Sequence, residues 1–178
     1  LRATPRDARA GTVGDTADVE RFLGLAALGP EPSSVASGPA LAALFRTSRG
    51  PIQAALMDQS KIAGLGNIHA AEALFLARVR PTRSARSLRP AEWSSLWRGI
   101  RKALARAAIP PDEELRYATE GGPRPFLVYG RAGEPCSRCR TPITRARAQG
   151  RSWYFCPRCQ PARPAASPAA KHASRGAP

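Results

Sequence analysis

From Pro39 onward the apolar positions of the chain recur at helical spacing. Leu41, Leu44 and Phe45 share a face behind Gly38-Pro39, and proline suits a first helical turn. Gly50-Pro51 opens a second, short helix with Ile52, Ala55 and Leu56 turned inward. Asn67 stands where it can cap a third, with Ile68, Ala71 and Phe75 as its stripe and Pro81 as its stop. A fourth follows Pro90. Its stripe is Trp93, Leu96, Trp97, Ile100 and Leu104, against Arg98, Arg101, Lys102 and Arg106 on the opposite face. Two tryptophans at that spacing read as core residues rather than base-stacking platforms. Beyond a Pro, Gly and acid-rich loop at 109–125 the pattern changes to that of a β-hairpin. An Ile-containing strand from Thr141 leads through an arginine-rich stretch to the turn Gln149-Gly150-Arg151, and Ser152-Trp153-Tyr154-Phe155 returns. The expected fold is mainly α with one small β-hairpin, without internal repeats. Residues 1–24 read as a leader too poor in apolar positions to form a domain, and 25–38 as a connector. Residues 39–125 read as the helical domain, 126–160 as the hairpin unit and 161–178 as a disordered Pro/Ala/Ser/Arg tail.

The chain has four cysteines, and they flank that hairpin as two CxxC pairs, Cys136-Ser-Arg-Cys139 and Cys156-Pro-Arg-Cys159, with 16 residues between them. A CxxC turn offers two thiolates from one tight knuckle, and two knuckles complete a closed tetrahedron around one zinc ion. This spacing favours a four-thiolate zinc site over two disulfides of a secreted domain or a redox CxxC. With sulfur at every position the expected metal is structural.

Charge adds a partner class. Against 13 acidic residues stand 28 lysines and arginines, for a net charge of +15 over 178 residues. Such a balance points to a polyanion, most simply nucleic acid, although part of it is what codon bias in a GC-rich genome would produce. Seven arginines lie between residues 131 and 160. A zinc-pinned hairpin can aim an arginine on its turn at a phosphate or groove, the plain alternative being a solvated basic face. Gln59-Ser-Lys61-Ile-Ala-Gly64-Leu-Gly66-Asn67 sets two glycines before a helix start. Close backbone approach and the helix's open N–H groups there suit a phosphate, with Lys61 as a helper, though glycine corners between helices are often purely structural. No apolar run approaches membrane-spanning length, and the first residues lack the apolar core of a signal peptide; reduced thiols on zinc then suit the cytoplasm.

Longer motifs carry a resemblance. Asp58-Gln-Ser-Lys-Ile-Ala-Gly-Leu-Gly-Asn-Ile-His-Ala-Ala-Glu-Ala-Leu-Phe75, Val79-Arg-Pro81, Val128-Tyr-Gly-Arg-Ala-Gly-Glu-Pro-Cys136 and Gly150-Arg-Ser-Trp-Tyr-Phe-Cys-Pro-Arg-Cys-Gln160 closely resemble the C-terminal half of formamidopyrimidine-DNA glycosylase. The related endonuclease VIII group shares that architecture, and Leu28-Gly-Pro-Glu-Pro32 resembles the family's interdomain connector. The resemblance implies a helix–two-turns–helix domain followed by a zinc finger. Both grip duplex DNA that is damaged or abasic, and the protein acts as a monomer associated with the bacterial nucleoid through that DNA. It implies phosphate contacts from Asn67 and the Gly64–Gly66 turn with Lys61, and from Arg151 on the hairpin, with Tyr129 near the DNA backbone. Departures accompany it. Family chemistry belongs to an N-terminal β-sandwich domain opening Pro-Glu, whose proline amine attacks the sugar and whose glutamate shuttles protons. This chain opens Leu1-Arg-Ala-Thr with few residues before the connector, so DNA and metal binding without turnover are expected of it. Gln53 stands where many members carry lysine, and Pro110-Pro-Asp-Glu-Glu-Leu-Arg116 replaces a Gly-Thr-rich lesion-covering loop. Two other readings are a non-enzymatic zinc and DNA-binding module, and a gene fragment without selected activity.

Overall fold

A computed structural model describes residues 28–107 and 126–162. The expectations for the leader 1–24, the loop 109–125 and most of the tail lie outside those residues. Four α-helices come first: α1 (Gly38–Leu44), α2 (Ile52–Leu56), α3 (Asn67–Leu76) and α4 (Pro90–Ala107), with one 3-10 turn at Ala85–Ser87. An antiparallel hairpin follows, β1 (Thr144–Ala148) and β2 (Arg151–Phe155), in the register Thr144 opposite Phe155 and Ala148 opposite Arg151.

Local chemistry sets the helix ends. The Ser37 hydroxyl accepts the amide of Ala40 at 3.3 Å, and proline occupies the first turn of α1. At the start of α4 the Glu92 carboxylate reaches back to the amide of Arg89 at 2.8 Å, one half of a capping box, and also binds the Arg83 guanidinium. Two expected boundaries shift. Gly66, not Asn67, is the N-cap of α3, so Asn67 is the first helical residue and its side chain is released from capping. The helix also ends at Leu76, well before Pro81, because Arg78 turns left-handed with φ 59° and breaks the ladder.

The helical core gathers Leu41, Phe45, Ile52, Leu56, Leu74, Trp93, Leu96 and Ile100. Phe45 and Trp93 stack in it with ring centroids 5.6 Å apart. Trp97 is half-buried, its indole N–H donating to the Val35 carbonyl at 2.8 Å; both tryptophans are core residues, as their spacing predicts. Helices α3 and α4 cross closely at Gly99, where a Cβ would stand 2.6 Å from the Ala73 carbonyl oxygen.

A second cluster packs the finger onto the other side of α3: Ala71, Phe75, Val128, Cys136, Ile143 and Cys156. This explains why α3 is apolar nearly all round. It is covered on two sides, so a one-sided stripe is absent. Ile143 lies just before β1 and pairs instead with the first knuckle, its amide donating to Glu134 and its carbonyl accepting from Gly133, both at 2.9 Å. Gln149 and Gly150, with φ of 51° and 71°, form the two-residue hairpin turn whose positive φ values match the twist of the strands. Among the described residues no helix is long and apolar enough to cross a membrane.

Candidate nucleic-acid interface and metal centre

The four cysteine sulfurs lie within 4.8 Å of one another. The sulfurs stand 3.9 Å apart for Cys136–Cys159, 3.4 Å for Cys139–Cys156 and 3.5 Å for Cys139–Cys159. A tetrahedron of zinc–sulfur bonds of about 2.3 Å has edges of about 3.8 Å, whereas a disulfide holds its sulfurs at about 2.0 Å. The cluster therefore fits one four-thiolate zinc ion and no disulfide. Each knuckle also turns a backbone amide onto its first sulfur, Arg138 onto Cys136 and Cys159 onto Cys156, both at 3.4 Å. Hydrogen bonds from Thr141 hold the Cys139 thiol down to about 6, while burial pushes Cys159 up to about 12 and Cys156 upward as well. A divalent cation displaces those protons and satisfies all four sulfurs, which makes the ion part of the folding energy of the finger. No ligand position remains for substrate, so the zinc is structural.

Polar ties join the finger to α3 along its length. The Arg138 guanidinium donates to the Phe75 carbonyl at 2.8 Å and lies 4.3 Å from the centroid of the Phe75 ring, closing the C-terminal end of the helix with a cation. Gln160, fully buried, donates to the Val79 carbonyl at 2.8 Å and accepts the Cys156 amide at 3.0 Å. At mid-helix the buried Glu72 carboxylate accepts the amides of Leu127, Val128 and Tyr129 at 2.8, 2.9 and 3.0 Å. Tyr129 is thereby fixed beside the hairpin, its ring edge-on to Tyr154 at 5.1 Å.

The N-terminal end of α3 is built differently. Gln59 braces the glycine turn from inside, donating to the carbonyls of Met57 and Leu65 and accepting the Gly64 amide at 2.8 Å. Gly64, at φ 77°, thus has its N–H engaged. The amides of Asn67, Ile68 and His69 have no partner among the described residues, and they form the open, positive end of the helix. Lys61 is half-buried and reaches the Thr47 hydroxyl at 3.5 Å. The Asn67 side chain accepts from Gln53 Nε2 at 2.7 Å through Oδ1 and donates to the Ser152 carbonyl at 3.0 Å through Nδ2. Ser152 follows Arg151, an exposed residue at the hairpin turn. One hydrogen bond therefore brings together the two elements singled out in the sequence, the glycine turn and the arginine hairpin. The resulting surface offers open amides, a carboxamide and a guanidinium, which are donors suited to an anionic oxygen.

Glu72 and Gln160 are residues sequence reasoning passed over, and Gln53, noted there only as standing where many family members carry lysine, was not connected to Asn67. One signal for Glu72 was present: an acid between Ala71 and Ala73 in a helix apolar all round must have a partner if the helix is buried. Gln53 and Gln160 meet their partners across 14 and 81 residues, beyond any local pattern.

Comparison with known proteins agrees with this geometry. Residues 28–114 match the family described as the formamidopyrimidine-DNA glycosylase H2TH domain, and residues 133–162 match the zinc finger found in FPG and IleRS. Over 145 residues the chain is 46% identical to formamidopyrimidine-DNA glycosylase of Gluconobacter oxydans, covering 76% of this chain and 52% of that protein. Identity to the Chloroflexus aurantiacus glycosylase is 45% over 148 residues, covering 77% and 53%. The chain thus spans about half the length of the curated relatives it matches. Among solved structures, MutM (Fpg) of Thermus thermophilus superimposes with a TM-score of 0.65 at 35% identity, covering 85% of this chain and 59% of that one. Lactococcus lactis Fpg, non-covalently bound to DNA containing an AP site, gives 0.65 at 29%, covering 83% and 55%. With both domain matches in the family's order and the four-sulfur cluster in place, the chain carries the C-terminal half, helix–two-turns–helix plus zinc finger, of the formamidopyrimidine-DNA glycosylase family.

Proposed function

We propose that this chain is the damaged-DNA-binding part of a base-excision-repair DNA glycosylase and abasic-site lyase. The observation that carries the proposal is the Asn67–Ser152 hydrogen bond, which sets the open end of α3 beside Arg151 on the hairpin. Two successive phosphates of a bent or abasic strand could be met there at once, one by helix amides and Asn67, the other by the guanidinium. Lys61 and the glycine turn line the approach, and Tyr129 stands next to the hairpin on the same finger. The solved Lactococcus lactis relative bound to AP-site DNA supports this class of ligand. Zinc supplies no reaction chemistry in this arrangement; Cys136, Cys139, Cys156 and Cys159 would hold it to keep the hairpin rigid. In the family, cleavage depends on an N-terminal proline amine and a glutamate, and among the described residues the helices and finger carry no counterpart of that pair.

The 178-residue polypeptide should therefore bind DNA without cutting it. Fluorescence anisotropy with a duplex containing a tetrahydrofuran abasic analogue should show tighter binding than the undamaged duplex. Borohydride treatment with true abasic DNA should trap no adduct above a control protein. Equal affinity for both duplexes would remove damage recognition from this half, and a robust adduct abolished by one substitution would relocate the nucleophile into it.

A further inference from the structure

Gln53 is fully buried on α2, yet its Oε1 has no hydrogen-bond partner among the described residues. A side chain with an orphaned buried acceptor is a worse core residue than methionine of similar length, so its packing alone does not account for it. Its other end is well used: Nε2 lies 2.7 Å from Asn67 Oδ1, while Asn67 Nδ2 lies 3.0 Å from the Ser152 carbonyl. The polarity of this ladder is forced. A carbonyl can only accept, so Asn67 must turn its NH2 toward Ser152, and its Oδ1 then requires a donor from Gln53. One Nδ2 hydrogen remains without a partner among the described residues, on a half-buried side chain at the open helix end. The platform beneath is rigid, because the amides of Ile52 and Gln53 are tied to the carbonyls of Arg83 and Pro81 at 2.7 and 3.3 Å.

We propose that Gln53 is a positioning residue for phosphate recognition: it holds the Asn67 carboxamide so that its free N–H is aimed at a DNA phosphate beside Arg151. This inference rests on the DNA-binding reading above. It gives stability and binding opposite signatures. Removing the Gln53 amide relieves an unsatisfied buried acceptor, but it lets the Asn67 side chain rotate away from its donor-out orientation.

The test is a double-mutant cycle on the zinc-loaded full chain, using a duplex with one tetrahydrofuran abasic site. Gln53→Met should melt at or above the temperature of the unmodified chain, yet bind roughly threefold to tenfold more weakly, the range of one hydrogen bond. In an Asn67→Ala background the same substitution should leave affinity unchanged. Gln53→Lys, which restores a donor within reach of Oδ1, should recover most of the binding. Unchanged affinity in Gln53→Met, or an equal loss in both backgrounds, overturns the proposal while leaving DNA binding intact. Failure of the unmodified chain to bind would remove the DNA-binding reading and this inference together. Should Gln53→Met not fold, the cycle is run with Gln53→Lys: near-normal affinity that still depends on Asn67 supports the proposal, and a loss as large as that of Asn67→Ala refutes it.

Discussion

Replacing Glu72 by methionine should loosen the finger from the helical domain far more than the loss of one surface acid would. The carboxylate is 5% exposed and receives three amides, those of Leu127, Val128 and Tyr129. Hydrogen bonds to a charged group contribute about 1.5–3 kcal/mol each, and a buried donor left unpaired costs about 1–3 kcal/mol. Val128 is fully buried, so its amide would bear that penalty in full, whereas the half-buried amides at 127 and 129 can turn to water at lower cost. Against this stands the relief of removing a carboxylate that folding desolvates. The balance is a destabilisation of about 3–5 kcal/mol for Glu72→Met. Glu72→Gln keeps one acceptor but turns an NH2 toward the amides, and should fall between the two at about 1–2 kcal/mol. Urea unfolding of the zinc-loaded protein measures this, with the NMR signals of the hairpin reporting on the finger and far-ultraviolet circular dichroism on the helices. Hydrogen exchange should show protection lost first at residues 127–129. A Glu72→Met protein within about 0.5 kcal/mol of the unmodified one would refute the idea that this carboxylate organises the junction.

Other consequences are direct. Purified reduced protein should contain one zinc per chain; Cys139→Ser or Cys156→Ser should lose the metal and the hairpin signals in NMR spectra while the α1–α4 signals persist, and a metal content of zero in the unmodified protein would contradict the site. Arg151→Ala should weaken duplex binding and reduce the log–log salt slope by about 0.9, whereas Asn67→Ala should weaken it with a smaller slope change, because asparagine displaces no counterion. The Arg83 hydrogen bond holds the Glu92 carboxyl down to about 2 from an ordinary 4.5, so the ionised acid stabilises the fold. That contribution should be complete above about pH 4.5 and vanish as pH falls toward 2. Glu92→Gln should cost about 1–2 kcal/mol at pH 7, a figure reduced for solvent screening of the pair, and the difference should close in acid.

Helices and knuckles were legible because their signals are local. The stripe from Trp93 to Leu104 and the two CxxC turns each declare themselves within a few residues. What lay hidden depends on contacts between distant segments. The start of α3 moved by one residue because Gly66, extended at φ −91° and ψ 177°, takes the cap and leaves Asn67 free to reach the finger. Its end came before Pro81 because Arg78 can adopt a left-handed turn, which nothing in its own side chain announces. The stripe expected at Ile68, Ala71 and Phe75 was only part of the buried surface, since Ala70, Ala73 and Leu74 face the helical core while Ala71 and Phe75 face the finger.

That two-sided burial makes α3 the spine of the molecule. The finger is tied to it by Asn67 and Ser152 at the N-terminal end, by Glu72 at the middle, and by Arg138 and Gln160 at or beyond the C-terminal end. All of these ties end on backbone groups, and the Glu72 carboxylate among them is buried, so added salt should leave the frame largely intact. Contacts offered to DNA differ in kind: Arg151 is an exposed cation, and its attraction to phosphate falls with ionic strength. Salt can therefore strip the ligand without loosening the scaffold. A change in salt slope on mutating the hairpin then reports lost phosphate contacts, whereas a change in affinity without a change in slope reports altered aim of the neutral donors at the head of α3.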